Sequence, residues 1–379
     1  MQTPVFKNGR KNIKGKMEIH KETYASQILK LAALSCEISH LAVKILCNDT
    51  LGSCKSTLWR MRQKVPHTIY GEKTTESIAL ISRGGKGKGI RLTKSAIPLL
   101  RQIDPELFTI YMQRSHQHRG RVNTKHSKRL QALSEIVAVM MQAEAELLPS
   151  KKVHLSKMYR GMTEKVAKPT FYISTELKSH DTLREMSYSR FAGLFITPQK
   201  PYVVYSTGKG VFEWRKSAEE RIQVAVERIV RSHFIFDRSD SIFMTDAMMV
   251  FGEGIRPAIS MLATPATEWE ALHGCFWDVH YVPKNRDGVM MIRFMASPDY
   301  SVKASKIIGP KREELMFLDG NLTKLRRFRR ACESVLTKSF VIYGAEWQLM
   351  IAAHYLQGLS NIQFYEVNME NLIEAMENQ

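Results

Sequence analysis

Residues 24–93 carry three stretches of helical period, a proline stop, and then strand-like runs around a turn of glycine and lysine, an order that few folds accept. In "YASQILKLAALS" the residues Ile28, Leu31, Ala32 and Leu34 recur on one face, and "ISHLAVKILC" repeats the pattern with Leu41, Ile45 and Leu46. Ser39 is placed to cap the second helix. "NDTLGS" supplies a turn in which Gly52 can take a positive φ, and "CKSTLWRMRQK" resumes the helical period with Leu58 and either Met61 or Arg62 on its inner side. Lys55, Ser56, Arg60 and Gln63, with Lys64 after them, are left for the outer side, while Trp59 reads as a core anchor. Pro66 cannot continue this helix, so "HTIYG" and "SIALISRGGKGKGIRLT" read as short strands about a glycine-rich tip.

Helix, helix, helix, hairpin predicts a winged helix-turn-helix. In that arrangement the second helix and its turn brace the third, whose outer face enters the major groove of duplex DNA. Glycines in "RGGKGKG" let main chain approach phosphates while Arg83, Lys86 and Lys88, with Arg91 beyond them, neutralise charge. The same run fails as a nucleotide phosphate loop, because Gly84 and Gly85 precede Lys86 at the wrong spacing and no hydroxyl follows.

Charge is distributed to suit that reading. Residues 1–160 hold 29 Lys/Arg against 11 Asp/Glu, and the remainder holds 27 against 26. Nearly all of the net +19 is therefore in the first part, the footprint of a polyanion-binding surface. Residues 1–22 form a basic arm and 23–105 the winged helix-turn-helix. Residues 106–148 are a helical connector with a His/Arg/Lys cluster whose Arg119 and Arg121 extend the basic surface. Its long helix, apolar on one side, suits covering the winged helix or pairing with a second copy, so a homodimer is expected.

The Lys-rich stretch 149–169 reads as a linker, and 170–379 as an α/β domain with a mixed sheet, which makes the whole chain α+β. Its strand-like runs are "FYISTELK", "FAGLFITP", "PYVVYST", "KGVFEW", "DSIFMTDAMMVF", "GCFWDVHYVP" and "VMMIRFMAS". Helical period marks "SAEERIQVAVERIVRS", "RPAISMLAT", "KREELMFLD", "LTKLRRFRRACESVLT" and "AEWQLMIAAHYLQG". No Gly-x-Gly-x-x-Gly opens a helix, which excludes a dinucleotide fold. Five cysteines without Cys-x-x-Cys spacing indicate reduced thiols. With no long apolar run and no secretory leader, a cytoplasmic protein with no membrane contact is expected.

A nuclease needs carboxylates that converge on Mg²⁺. Glu219, Glu220, Asp246 and Asp278 are the candidates in the second domain, yet no strand Asp precedes the Glu-x-Lys at Glu176 by 10–30 residues. The expectation is accordingly a DNA-binding protein that needs no cofactor and has no catalysis of its own; the alternative is a Mg²⁺-dependent nickase or endonuclease.

"GIRLTKSA", the helical connector, "RFAGLFITPQKPYVVYSTGKGVFEW" and "SAEERIQVAVERI" follow one another in an order that resembles the replication-relaxation family of Gram-positive plasmids and integrative conjugative elements. That resemblance implies a winged-helix DNA binder acting in plasmid replication, DNA relaxation, conjugative transfer or their regulation. It further implies a restriction-endonuclease-like core in the second domain and a replication or relaxosome protein as partner.

Overall fold

The computed structural model describes residues 17–20, 23–48, 51–73, 76–82, 89–116, 124–155, 163–177, 190–208, 216–236, 244–265, 269, 276, 278–297, 306–307, 312–335 and 337–378. Over these residues the chain is mixed α+β, with thirteen helices and several sheets, and it divides into two compact units, Met1–Gln142 and Ala143–Gln379. No helix among the described residues is long and apolar enough to cross a membrane.

Unit 1 opens with β1 (Met17–Ile19) and the three expected helices, α1 (Tyr24–Ser35), α2 (His40–Leu46) and α3 (Leu51–Arg62). Their ends have local causes. Thr23 caps α1 by accepting from Ser26 N (3.3 Å), and Ser39 caps α2 by accepting from Ala42 N (2.9 Å). Two strands follow, β2 (His67–Ile69), parallel to β1, and β3 (Glu72–Lys73), antiparallel to β2. Beyond them Ile81 pairs antiparallel with Leu92, and Ile38, between α1 and α2, pairs antiparallel with Ile90.

The next helices, α4 (Ala96–Ile103) and α5 (Pro105–His116), place Pro98 in a first turn and Pro105 at a first position, where neither removes an intrahelical hydrogen bond. The long helix α6 (Thr124–Gln142) packs on α1 and α2, burying Leu130, Ile136, Val137, Val139 and Met140. It also supplies polar partners: Ser134 Oγ accepts from Ser39 N (3.0 Å) and Gln142 Nε2 donates to Leu46 O (3.2 Å). Of the two uses its apolar side suited, covering the first helices is the one observed.

Unit 2 runs β4 (Glu164–Lys165), β5 (Thr170–Ile173), α7 (Ser174–Leu177), β6 (Phe191–Ile196), β7 (Pro201–Ser206), α8 (Lys216–His233), β8 (Phe234–Ile235), β9 (Ala247–Gly252), α9 (Arg256–Leu262), β10 (Asp278–Pro283) and α10 (Arg286–Ala296). It ends with β11 (Lys306–Ile307), β12 (Arg312–Met316), α11 (Leu322–Ser334), β13 (Ser339–Gly344), α12 (Glu346–Tyr355), β14 (Ile362–Glu366) and α13 (Met369–Glu377). Residues 149–155 pack within this unit, where Lys152 Nζ binds Glu176 (2.9 Å) and Val153 O accepts from Tyr172 Oη (2.9 Å). The strand-like "KGVFEW" lies outside the described residues.

Two mixed sheets form where one was expected. The first has the order β10-β9-β7-β6-β5, with β5, β6 and β7 antiparallel and β7, β9 and β10 parallel through the crossovers α8 and α9. The second has the order β11-β12-β13-β14, parallel from β12 onward through α11 and α12. One core runs from Val203, Tyr205, Met248, Val250, Val279 and Tyr281 through α8, α9, α11 and α12 to Leu315, Phe340 and Ile342.

Two segments depart from their expected states. "VMMIRFMAS" is helical in α10, begun by Asn285, whose side chain accepts from Gly288 N (3.2 Å). Val289, Met291, Ile292, Phe294 and Met295 are buried, and the less buried face is Met290, Arg293 and Ser297, so within the run Arg293 is the one charged residue that marks the helical period. "KREELMFLD" contributes the strand β12, in which buried Leu315 alternates with exposed Met316; pairing with β13 overrides the helix preference of Glu and Leu.

Candidate nucleic-acid interface

Buried Cys54, Leu58 and Met61 seat α3 on its unit. Its C-terminal end is fixed by main chain, because Met61 O accepts from Leu80 N (2.8 Å) and Ile81 N (3.3 Å) of the segment leading to residues 83–88. Steps of three and four residues leave Gly52, Lys55, Ser56, Trp59, Arg60 and Lys64 exposed, with Gln63 half-buried beside them. Lys55, Arg60 and Lys64 pair with no acid among the described residues.

Trp59 is not a core anchor. It is 63% exposed, because the adjacent Leu58 occupies the inward position and one residue further turns the side chain about 100° away. The spacing contained this signal: Trp59 lies four residues after Lys55 and three after Ser56.

The segment from Gly89 to Arg91 is organised by Glu37, which spacing did not single out. Buried Glu37 accepts from Gly89 N (2.7 Å), Arg91 Nε (3.0 Å), Gln131 Nε2 (2.9 Å) and Ser127 Oγ. Burial pushes its carboxyl up, but the hydrogen bonds from Ser127, Arg91 and Gly89 outweigh that and hold it below the ordinary range. A Cβ at Gly89 would come within 2.4 Å of Glu37 Cγ, so glycine is what admits this approach. Arg91, expected to contact DNA, directs its guanidinium to Glu37 at 2.5 Å with its side chain 38% exposed. Arg83, Lys86, Lys88, Arg119 and Arg121 lie outside the described residues.

The four candidate carboxylates of unit 2 do not converge. Asp278 shares a sheet face with Tyr202 and His280, and it binds Lys200 Nζ (2.9 Å) and Asn321 Nδ2 (2.8 Å). Burial alone would raise the Asp278 pKa; Lys200, His280 and the Asn321 amide hold it far below the usual carboxylate range. Glu219 is buried beside Tyr205, on the opposite face of the same sheet, and burial raises its pKa against the opposing effects of Tyr205 and Arg190. Asp246 precedes β9 and its carbonyl accepts from Asp278 N (3.2 Å), while Glu220 is half-buried on α8. Among the described residues no group of three or more His, Cys, Asp or Glu comes together to hold a metal.

Around Asp278 the chain builds a polar cluster instead. Buried His280 Nδ1 donates to Asp319 O (2.8 Å), Lys324 Nζ donates to Asp319 Oδ2 (3.0 Å), and Asn321 caps α11 by accepting from Lys324 N (3.1 Å). His280 Nε2 is buried with no hydrogen-bond partner, and burial lowers the pKa of this imidazole. These bonds tie β10 to the start of α11. No family model, curated protein or solved structure matches the chain.

Proposed function

We propose that unit 1 is a winged helix-turn-helix that holds double-stranded DNA, with α3 in the major groove and residues 83–88 along the backbone. The observation that carries this reading is the outer face of α3, where Lys55, Ser56, Arg60 and Lys64 are exposed without acidic partners. The antiparallel pairings of Ile81 with Leu92 and Ile38 with Ile90 supply the wing and the short strand against which it is set. Unit 2 serves protein contacts in replication, relaxation or conjugative transfer of a mobile element, or in its regulation; its antiparallel β5-β6-β7 followed by α8 and parallel β9 is the basis for likening it to a restriction-endonuclease core. A homodimer belongs to the same proposal, meeting through a face other than the α6 side already spent on α1 and α2.

Gel shifts with cognate and scrambled duplex at several salt concentrations test it. Replacing Lys86 and Lys88 by Ala should weaken binding to all sequences and reduce the salt slope by about two. Arg60→Ala should lose discrimination between sites, by roughly 1–3 kcal/mol. Unchanged salt slopes would remove the wing from the interface. Incubation with supercoiled plasmid and Mg²⁺ addresses the nickase alternative, which requires nicking that Asp278→Asn or Glu219→Gln abolishes.

A further inference from the structure

Trp59 is the most exposed of the large apolar side chains among the described residues, at 63%. Its setting is cationic: Lys55 and Ser56 lie one turn before it, Arg60 beside it, and Gln63 one turn after, with Gln63 Nε2 donating to Trp59 O (3.3 Å). An apolar centre rimmed by positive charge marks a contact surface for a polyanion. Protein interfaces deplete Lys from such a centre, so charge complementarity favours nucleic acid.

The form of nucleic acid follows from what one indole can do. Strand-binding proteins stack successive bases on several aromatic rings, and α3 offers a single one. The other exposed aromatic among the described residues of unit 1, Tyr70, donates its hydroxyl to Ile103 O (3.4 Å) at the end of α4. In an intact duplex the base faces are stacked and closed to a side chain. The apolar feature that the major groove presents to an approaching helix is the C5-methyl of a pyrimidine. Resting on the reading of unit 1 as a duplex binder, we infer that Trp59 is a specificity-determining residue that packs against a pyrimidine C5-methyl group, from thymine or from 5-methylcytosine, at the middle of the bound site.

Full-length protein is used to enrich a duplex from a random-sequence pool, and the enriched duplex is resynthesised with uracil replacing each thymine, or 5-methylcytosine replacing each cytosine, one position at a time. Anisotropy titrations should show a loss of about three- to fivefold for wild type at one or two thymine positions, or a similar gain at a methylated cytosine, which separates the two sources. Trp59→Ala should bind the parent duplex more weakly and ignore these substitutions, and Trp59→Phe should recover part of the methyl sensitivity. As Trp59 is exposed, both variants should melt with wild type. If wild type enriches a duplex but no position responds, or if Trp59→Ala responds as wild type does, the methyl contact is wrong and duplex binding stands. If no duplex is enriched, the duplex reading falls and takes this inference with it.

Discussion

Glu37 carries its charge with no water contact because four donor residues from two parts of unit 1, Gly89 with Arg91 and Ser127 with Gln131, satisfy it. Removing one side of a buried charged network leaves the other side unpaired, so Glu37→Gln should cost about 2–4 kcal/mol, read from urea unfolding of the full chain. In unit 2, His280 titrates in the opposite sense from a salt-bridged base. Its folded pKa lies below the ordinary 6.5, so the unfolded chain binds a proton first and stability rises with pH across that interval. Melting temperature should therefore decline as pH falls below about 6.5, and His280→Gln should lessen the decline; identical curves would mean that Nε2 meets no penalty on protonation. These residues show what spacing conveys. Periodicity places Lys55, Ser56 and Arg60 on an outer face from local information alone. Glu37 with Arg91, and Asp278 with Lys200, are pairs 54 and 78 residues apart, which no local pattern reports.

Elements were legible where a cap and an amphipathic period coincide. Ser39 before "HLAVKIL" is such a case, and α11, begun by Asn321, is another. Where apolar residues also occupy the less buried face the period is hard to see, as with Met290 in α10, and where pairing decides, as in β12, composition misleads. The strands β13 and β14 were not anticipated: β14 is mostly exposed and lacks alternation, and its place comes from parallel pairing with β13. Asn321 shows an element end specified by tertiary contact as well as by capping, since its Oδ1 accepts from Lys324 N while its Nδ2 binds Asp278. Losing both roles in Asn321→Ala should destabilise the fold by about 1–3 kcal/mol, measured by denaturant midpoint at unchanged slope, whereas Asn321→Asp should keep the cap and set two carboxylates together.

Charge divides between the units more sharply than size does. Met1–Gln142 holds 25 Lys/Arg against 9 Asp/Glu, and Ala143–Gln379 holds 31 against 28. A ligand that binds one folded unit stabilises that unit alone, so calorimetry of the whole chain with duplex at 100 times Kd should raise one transition, by about 2.7 kcal/mol, and leave the other in place. A shift of both together would show that the units unfold as one. The chain leaves unit 1 through α6, and Ser127 and Gln131 on that helix grip the same carboxylate that holds Gly89 and Arg91. One carboxylate thus fastens the helix by which the chain passes to unit 2 to the residues that follow the segment proposed to lie along DNA.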